Sequence, residues 1–194
     1  MIDQYRALRA GLVVIRLGPV LILVVLIVVL GLLSPVFLTA RNAGNVLSQT
    51  AVIAVLAMGQ LVVILTRGID LSVGSVLALS AVVGAVVYEA VPNGLVVVLA
   101  ILATGLAVGL VNGVVYVKGH LPHPFIITLA TLSIARGLAL WLSGGQPIQG
   151  MPPIVDAIGG GTIGWFPLSA FVVFGVALTG MPARLAPSGL PPTA

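Results

Sequence analysis

Polar positions are so sparse in this chain that they act as punctuation between long apolar runs. The runs cover residues 17–33 (lengthened by 34–37), 46–66, 72–88, 95–117 and 125–143, with a weaker one at 163–180. A helix needs about 20 predominantly apolar residues to cross the hydrocarbon core of a bilayer, so the pattern predicts six spans. Val20 to Leu33 is apolar without interruption, whereas a membrane barrel strand must alternate apolar and polar positions. In lipid the backbone must satisfy its own hydrogen bonds. The expected fold class is therefore all-α, a polytopic integral membrane protein of about six transmembrane helices. Turn-forming residues mark the breaks: Ser34-Pro35, Gly68, Pro92-Asn93-Gly94, Pro122-His123-Pro124, Gly144-Gly145-Gln146-Pro147 and Pro152-Pro153.

Three regions follow from this texture. Residues 1–16 form an N-terminal segment, 17–180 the transmembrane region, and 181–194, rich in Pro and Ala, a tail expected to be disordered. The first run exceeds the 7–15 residues of a signal-peptide core, and Phe37-Leu38-Thr39-Ala40 lacks a small-x-small cleavage pattern, so it reads as an uncleaved span.

Composition supports the membrane assignment. The chain is 60% hydrophobic and 6% charged, far below the roughly 25% charged residues of a soluble domain. Its net charge of +4 comes from scattered single residues without interleaved aromatics, which argues against nucleic acid and reads as orientation. With the N-terminus in the cytoplasm, Arg6, Arg9, Arg16, Arg67, Lys118 and Arg184 lie inside, Arg41 outside and Arg136 within a span. The chain has no cysteine, which excludes disulfides and thiolate metal sites.

Thr66-Arg67-Gly68-Ile69-Asp70-Leu71-Ser72-Val73-Gly74 carries the densest polar chemistry between apolar runs. One reading is a capped hairpin at the membrane boundary. Gly68 would take the left-handed conformation that ends one helix, Asp70 or Ser72 would cap the next, and Arg67 would either snorkel or pair with Asp70. The other is a deeper break, buried in protein, whose helix ends supply polar groups to a pathway. Arg136 lies inside a span and calls for a partner, with Asp156, Glu89 and Asp70 as candidates. Gly105, Gly109 and Gly113 recur every four residues, a stripe suited to close helix packing, and Asn112 beside it suits an interhelical bond or a hydroxylated solute. His120 and His123 are separated by Leu121 and Pro122 and lack a carboxylate to complete a metal site, so they read as solvated loop residues. No phosphate-binding GxxxxGK[ST] loop and no catalytic grouping is present.

Thr66 to Ala81, with Met58-Gly59-Gln60 upstream and Pro124 to Thr131, Arg136-Gly137-Leu138-Ala139 and Ser143 to Ile148 downstream, resembles the permease family of bacterial ABC importers for ribose, xylose, arabinose and related sugars. The resemblance covers about 17–178. It implies one membrane subunit of a larger bundle in the bacterial inner membrane, carrying a monosaccharide delivered by an extracytoplasmic binding protein. ATP and Mg would act on a separate ATPase subunit, and a second permease copy, identical or related, would complete the pore. Arg67, Gly68, Asp70, Ser72 and Gly74 fall in the family motif; Gln60, Asn112, Thr128 and Arg136 are candidates for the transport path or for intramembrane pairing. Relatives of this kind continue for several more spans, so the chain is expected to be partial and silent alone. An inert fragment or interaction protein is the alternative. An ion-coupled secondary carrier is disfavoured by the shortage of intramembrane carboxylates.

Overall fold

The computed structural model describes the backbone of residues 2–148 and 150–180, and the side chains of 17–148 and 150–178. The 181–194 tail lies outside the described residues. Helices dominate: α1 (Ile2–Leu33), α2 (Ala40–Leu65), α3 (Val73–Ala90), α4 (Gly94–Lys118), α5 (Pro124–Leu142), α6 (Pro153–Gly160) and α7 (Ser169–Gly180). Between α6 and α7 lies a small antiparallel hairpin, β1 (Thr162–Ile163) paired with β2 (Phe166–Pro167).

Among the described residues, α2, α3, α4 and α5 are long and apolar enough to cross a membrane, and Leu17–Leu33 adds a shorter apolar stretch. The sixth expected span, 163–180, is not a single helix. Gly164 turns at φ +65 and closes the hairpin, so helix begins only at Ser169 and runs for 12 residues. The apolar composition at 163–168 serves an aromatic cluster instead, in which Phe166 meets Trp165 and Phe171 edge to face.

The chain divides into two compact units, Met1–Val46 and Leu47–Ala194. In the first, the turn after α1 is held by Ser34 N donating to Leu30 O. Thr39 Oγ1 then accepts from Asn42 N at 3.3 Å and satisfies a free amide at the start of α2. In the second, α3 packs against both α4 and α5. Leu79 meets Ala135 and Ala139, 1% and 6% exposed, at the centre of the core. The alanines stand one helical turn apart, so α3 can lie close to α5. On the far side of α3, a Cβ added at Gly84 would stand 2.6 Å from Ile101 Cγ1; Gly84 is what lets α4 approach.

The outer surface is apolar. Leu102, Leu106 and Leu110 of α4 are 63%, 66% and 57% exposed and, four residues apart, form one face. A lipid environment removes the penalty that water would impose on it.

Candidate functional site

The break between α2 and α3 is where the polar side chains of the second unit converge. α2 stops at Leu65 because Arg67, not Gly68, takes the left-handed conformation, at φ 60. The returning bonds are Arg67 N to Ile64 O at 2.9 Å and Gly68 N to Val63 O at 3.0 Å. This corrects the expectation for Gly68. Its smallness serves packing: a Cβ there would lie 2.7 Å from Pro124 Cγ and 3.2 Å from Val63 Cγ1. The chain after α2 is thereby pressed against the first turn of α5.

Asp70 organises the start of α3. Its Oδ1 accepts from Ser72 N at 2.7 Å and from Ser72 Oγ at 2.6 Å, an Asx turn that orients the backbone for helix entry. Ser72, 1% exposed, is the cap residue, and its own carbonyl accepts the first helical bond from Val76 N at 2.9 Å. Its side chain does not bond to the helix amides; it faces the interior.

From Ser72 a directed chain of hydrogen bonds crosses the helix packing. Thr131 Oγ1 of α5 donates to Asn112 Oδ1 at 2.5 Å, Asn112 Nδ2 of α4 donates to Ser72 Oγ at 3.2 Å, and Ser72 Oγ donates to the Asp70 carboxylate. Every donor points toward the negative charge. In such an order each bond polarises the next, and the carboxylate lies by the amide end of α3, where the helix dipole favours an anion. Asn112 and Thr131 are each 8% exposed, so each would be costly unpaired.

Two further side chains hold the backbone of the break. Thr128 Oγ1, on an α5 residue 3% exposed, accepts from Leu71 N at 3.3 Å and lies 3.4 Å from Ile69 O. In the orientation that satisfies both amide groups, Gln60 donates to Asp70 O at 3.3 Å and accepts from Asp70 N at 3.2 Å. Gln60, Asn112 and Thr128, three candidates from separate helices, therefore meet one loop. Within the break Gly68 and Ser72 are buried and Asp70 half-buried, whereas Thr66, Arg67, Ile69 and Leu71 are exposed.

Other candidates stand elsewhere. Arg67 is exposed and forms no ion pair with Asp70; among the described residues Arg136 likewise has no ion-pair partner, so Asp70, Glu89 and Asp156 do not fill that role. Arg136 is exposed on α5, twelve residues after Pro124, about 18 Å along the helix. Gly74 has open space at its Cβ position. In the glycine stripe, a Cβ added at Gly105 would lie 3.8 Å from Ser80 Oγ, whereas added Cβ atoms at Gly109 and Gly113 would meet nothing within 4 Å. The stripe therefore packs at one residue only among the described residues, and Gly84 is the close-packing glycine that spacing alone did not single out. His120 Nδ1 bonds to Lys118 O at 3.0 Å. No group of three metal-ligating side chains occurs among the described residues.

Sequence reasoning passed over Thr131. The signal was present: Thr128, Thr131, Ala135 and Ala139 are all buried and recur at helical spacing, a small and polar face in a helix otherwise rich in Leu and Ile. The missing ion pair gives a first prediction. Arg67→Gln should change the stability of the detergent-solubilised chain by less than about 0.5 kcal/mol. Asp70→Ala, which strips two donors of their acceptor, should cost about 2 kcal/mol; equal losses in denaturant-induced unfolding would contradict this assignment.

A family model described as "Branched-chain amino acid transport system / permease component" matches residues 42–183. The chain is 46% identical over 127 residues to the ribose import permease protein RbsC of Escherichia coli K12, covering 66% of this chain and 39% of that protein. It is 42% identical over 139 residues to RbsC of Bacillus subtilis 168, covering 70% and 42%. With the L-arabinose ABC transporter permease protein AraH of Azospirillum brasilense it shares 34% identity over 169 residues, covering 84% and 50%. The chain thus spans half or less of the length of these relatives. No solved structure matches it.

Proposed function

The chain belongs to the branched-chain amino acid transport system / permease component family, and from that membership we propose that it supplies part of the membrane region of a sugar permease in an ATP-binding-cassette importer. The observation that carries the proposal is the polar break at residues 66–72, held from α2, α4 and α5 by Gln60, Asn112 and Thr128. A helix break met by polar side chains from three apolar helices is the kind of feature transport proteins use. The identity to ribose and arabinose permeases supports a monosaccharide as the solute. In this reading the chain hydrolyses nothing. ATP and Mg act on a partner ATPase, an extracytoplasmic binding protein delivers the sugar, and a second permease copy faces this one in the bacterial inner membrane. Nucleic acid has no part.

The test is a chimera. Residues of the E. coli ribose permease that match this chain are replaced by those of the chain, and ATP-dependent ribose uptake is measured in cells lacking their own permease. Uptake within about tenfold of wild type, about 1.4 kcal/mol in the overall barrier, is expected. A chimera that inserts stably, recruits the ATPase and moves no ribose contradicts the reading.

Orientation is proposed with it: the N-terminus, Arg67 and Lys118 in the cytoplasm, Asn93 and Gln146 outside. Single cysteines introduced into this cysteine-free chain should react with an impermeant thiol reagent from outside at positions 93 and 146 and stay protected at 67 and 118. The opposite labelling pattern reverses the topology.

A further inference from the structure

Three described helices end in the same hydrogen-bonded motif, yet one of the ends differs from the other two in what occupies its turn. At α2, Gly68 N returns to Val63 O and Arg67 N to Ile64 O; at α4, Leu121 N returns to Tyr116 O at 3.2 Å and His120 N to Val117 O at 3.3 Å. At α5, Gly145 N returns to Leu140 O at 2.8 Å and Gly144 N to Trp141 O at 3.3 Å. This paired return places one residue in left-handed backbone, where glycine is the usual occupant because it lacks a Cβ. α5 uses Gly144, at φ 60, whereas α2 uses Arg67, at φ 60, and α4 uses His120, at φ 50. Arg67 and His120 are the only non-glycine residues with positive φ among the described residues.

Both lie at the same end of the second unit. Gly68 packs on Pro124, and Thr128 bonds to the backbone at 69 and 71, so the α2–α3 break adjoins the α4–α5 turn. Lys118 closes α4, His123 precedes α5, and Arg67, Lys118, His120 and His123 are all exposed. The His120 ring is tied to the Lys118 carbonyl, which holds it beside that lysine. Asp70, the acidic residue at this end, is engaged by Ser72. Glu89, Asp156 and the glycine-ended α5 belong to the opposite end.

Left-handed backbone at a bulky residue is retained when the side chain has work outside the turn. We propose that this end of the second unit binds the phosphates of anionic phospholipid headgroups, with Arg67, Lys118 and His120 as the contacting side chains. The helices flanking it are long and apolar enough to cross a membrane, so the turns between them fall at headgroup level. A guanidinium matches phosphate oxygens with two parallel bonds, and cations clustered at the end of a span draw anionic lipid. The proposal does not depend on the solute or on the transport reading.

The chain is purified into phosphatidylcholine nanodiscs containing graded phosphatidylglycerol, and the lipid retained after extraction is counted by native mass spectrometry, with thermal unfolding recorded in parallel. Wild type should retain phosphatidylglycerol preferentially. Lys118→Gln, which alters no left-handed position, should weaken that preference about fivefold. Arg67→Gly with His120→Gly should weaken it further while unfolding in pure phosphatidylcholine at the same or a higher temperature, because glycine relieves both turns. Arg67→Lys, which keeps the charge but not the paired bonds, should weaken it less than the double glycine variant does. An unchanged preference in Lys118→Gln and in the double glycine variant would overturn the proposal, as would a double variant that loses stability together with lipid.

Discussion

Ser72→Ala should be the most damaging small substitution in the second unit, lowering stability by about 3 kcal/mol, because one hydroxyl there serves two neighbours. Ser72 Oγ donates to the Asp70 carboxylate and accepts from Asn112 Nδ2. Removing it takes a charge-assisted bond from Asp70, worth about 1.5–3 kcal/mol, and leaves a buried amide donor unpaired, at about 1–3 kcal/mol. Interhelical polar bonds in membrane proteins average only about 0.6 kcal/mol, since the unfolded chain in lipid finds other partners. The larger figure is expected here because Asn112 is 8% exposed and Ser72 1%, so neither gains water when its partner goes. Asn112→Leu should cost less. Thr131 can turn its hydroxyl to the carbonyl one helical turn back, as Ser133 does to Leu129 O. Combining Ser72→Ala with Asn112→Leu should therefore recover part of the loss, because no orphaned amide remains. Unfolding of the four proteins of this cycle in mixed micelles measures the coupling. Strictly additive losses would mean that the Ser72–Asn112 bond carries no stability.

Gly68→Ala should cost about 1–3 kcal/mol through overpacking. The added methyl would stand 2.7 Å from the ring of Pro124 and 3.3 Å from Val63 O. Neither neighbour is the free end of a flexible chain. A proline ring at the first turn of a helix and a carbonyl already bonded to Gly68 N have little room to yield, so the break must move away from α5. That movement strains the Thr128 bond to Leu71 N, and the effect should reach the candidate site. Gly74→Ala is the matched control two residues into α3, where a Cβ meets nothing within 4 Å; its stability should equal or slightly exceed wild type. If Gly68→Ala is as stable as Gly74→Ala, close approach is not why position 68 is glycine.

Membrane residence, the all-helical class and most of the helix boundaries could be read from the sequence, because all three depend on composition and local order. Sixty per cent hydrophobic residues in runs of span length leave few architectures open to a backbone that must bond to itself. Pro, Gly and Asn mark where it stops: Asn93 caps α4 through Leu95 N at 3.0 Å, and Pro124 opens α5. The break at 66–72 was also visible as the densest polar group between two apolar runs, and Gln60, Asn112 and Thr128 could be named as polar residues inside spans.

What those residues bond to could not be read, because side-chain partners depend on how the helices rotate against one another. Asn112 meets Ser72 across forty residues and Thr131 across nineteen, separations on which periodicity is silent. Charge proximity in sequence suggested Arg67 with Asp70, yet the left-handed turn leaves Arg67 exposed while Asp70 accepts from Ser72. The glycine stripe at 105, 109 and 113 has the spacing for close packing, but α4 presents two of its three members to open space, and α3 approaches α4 at Gly84 instead. Local sequence sets which residues a helix exposes on each face; only the packed helices decide which face is used.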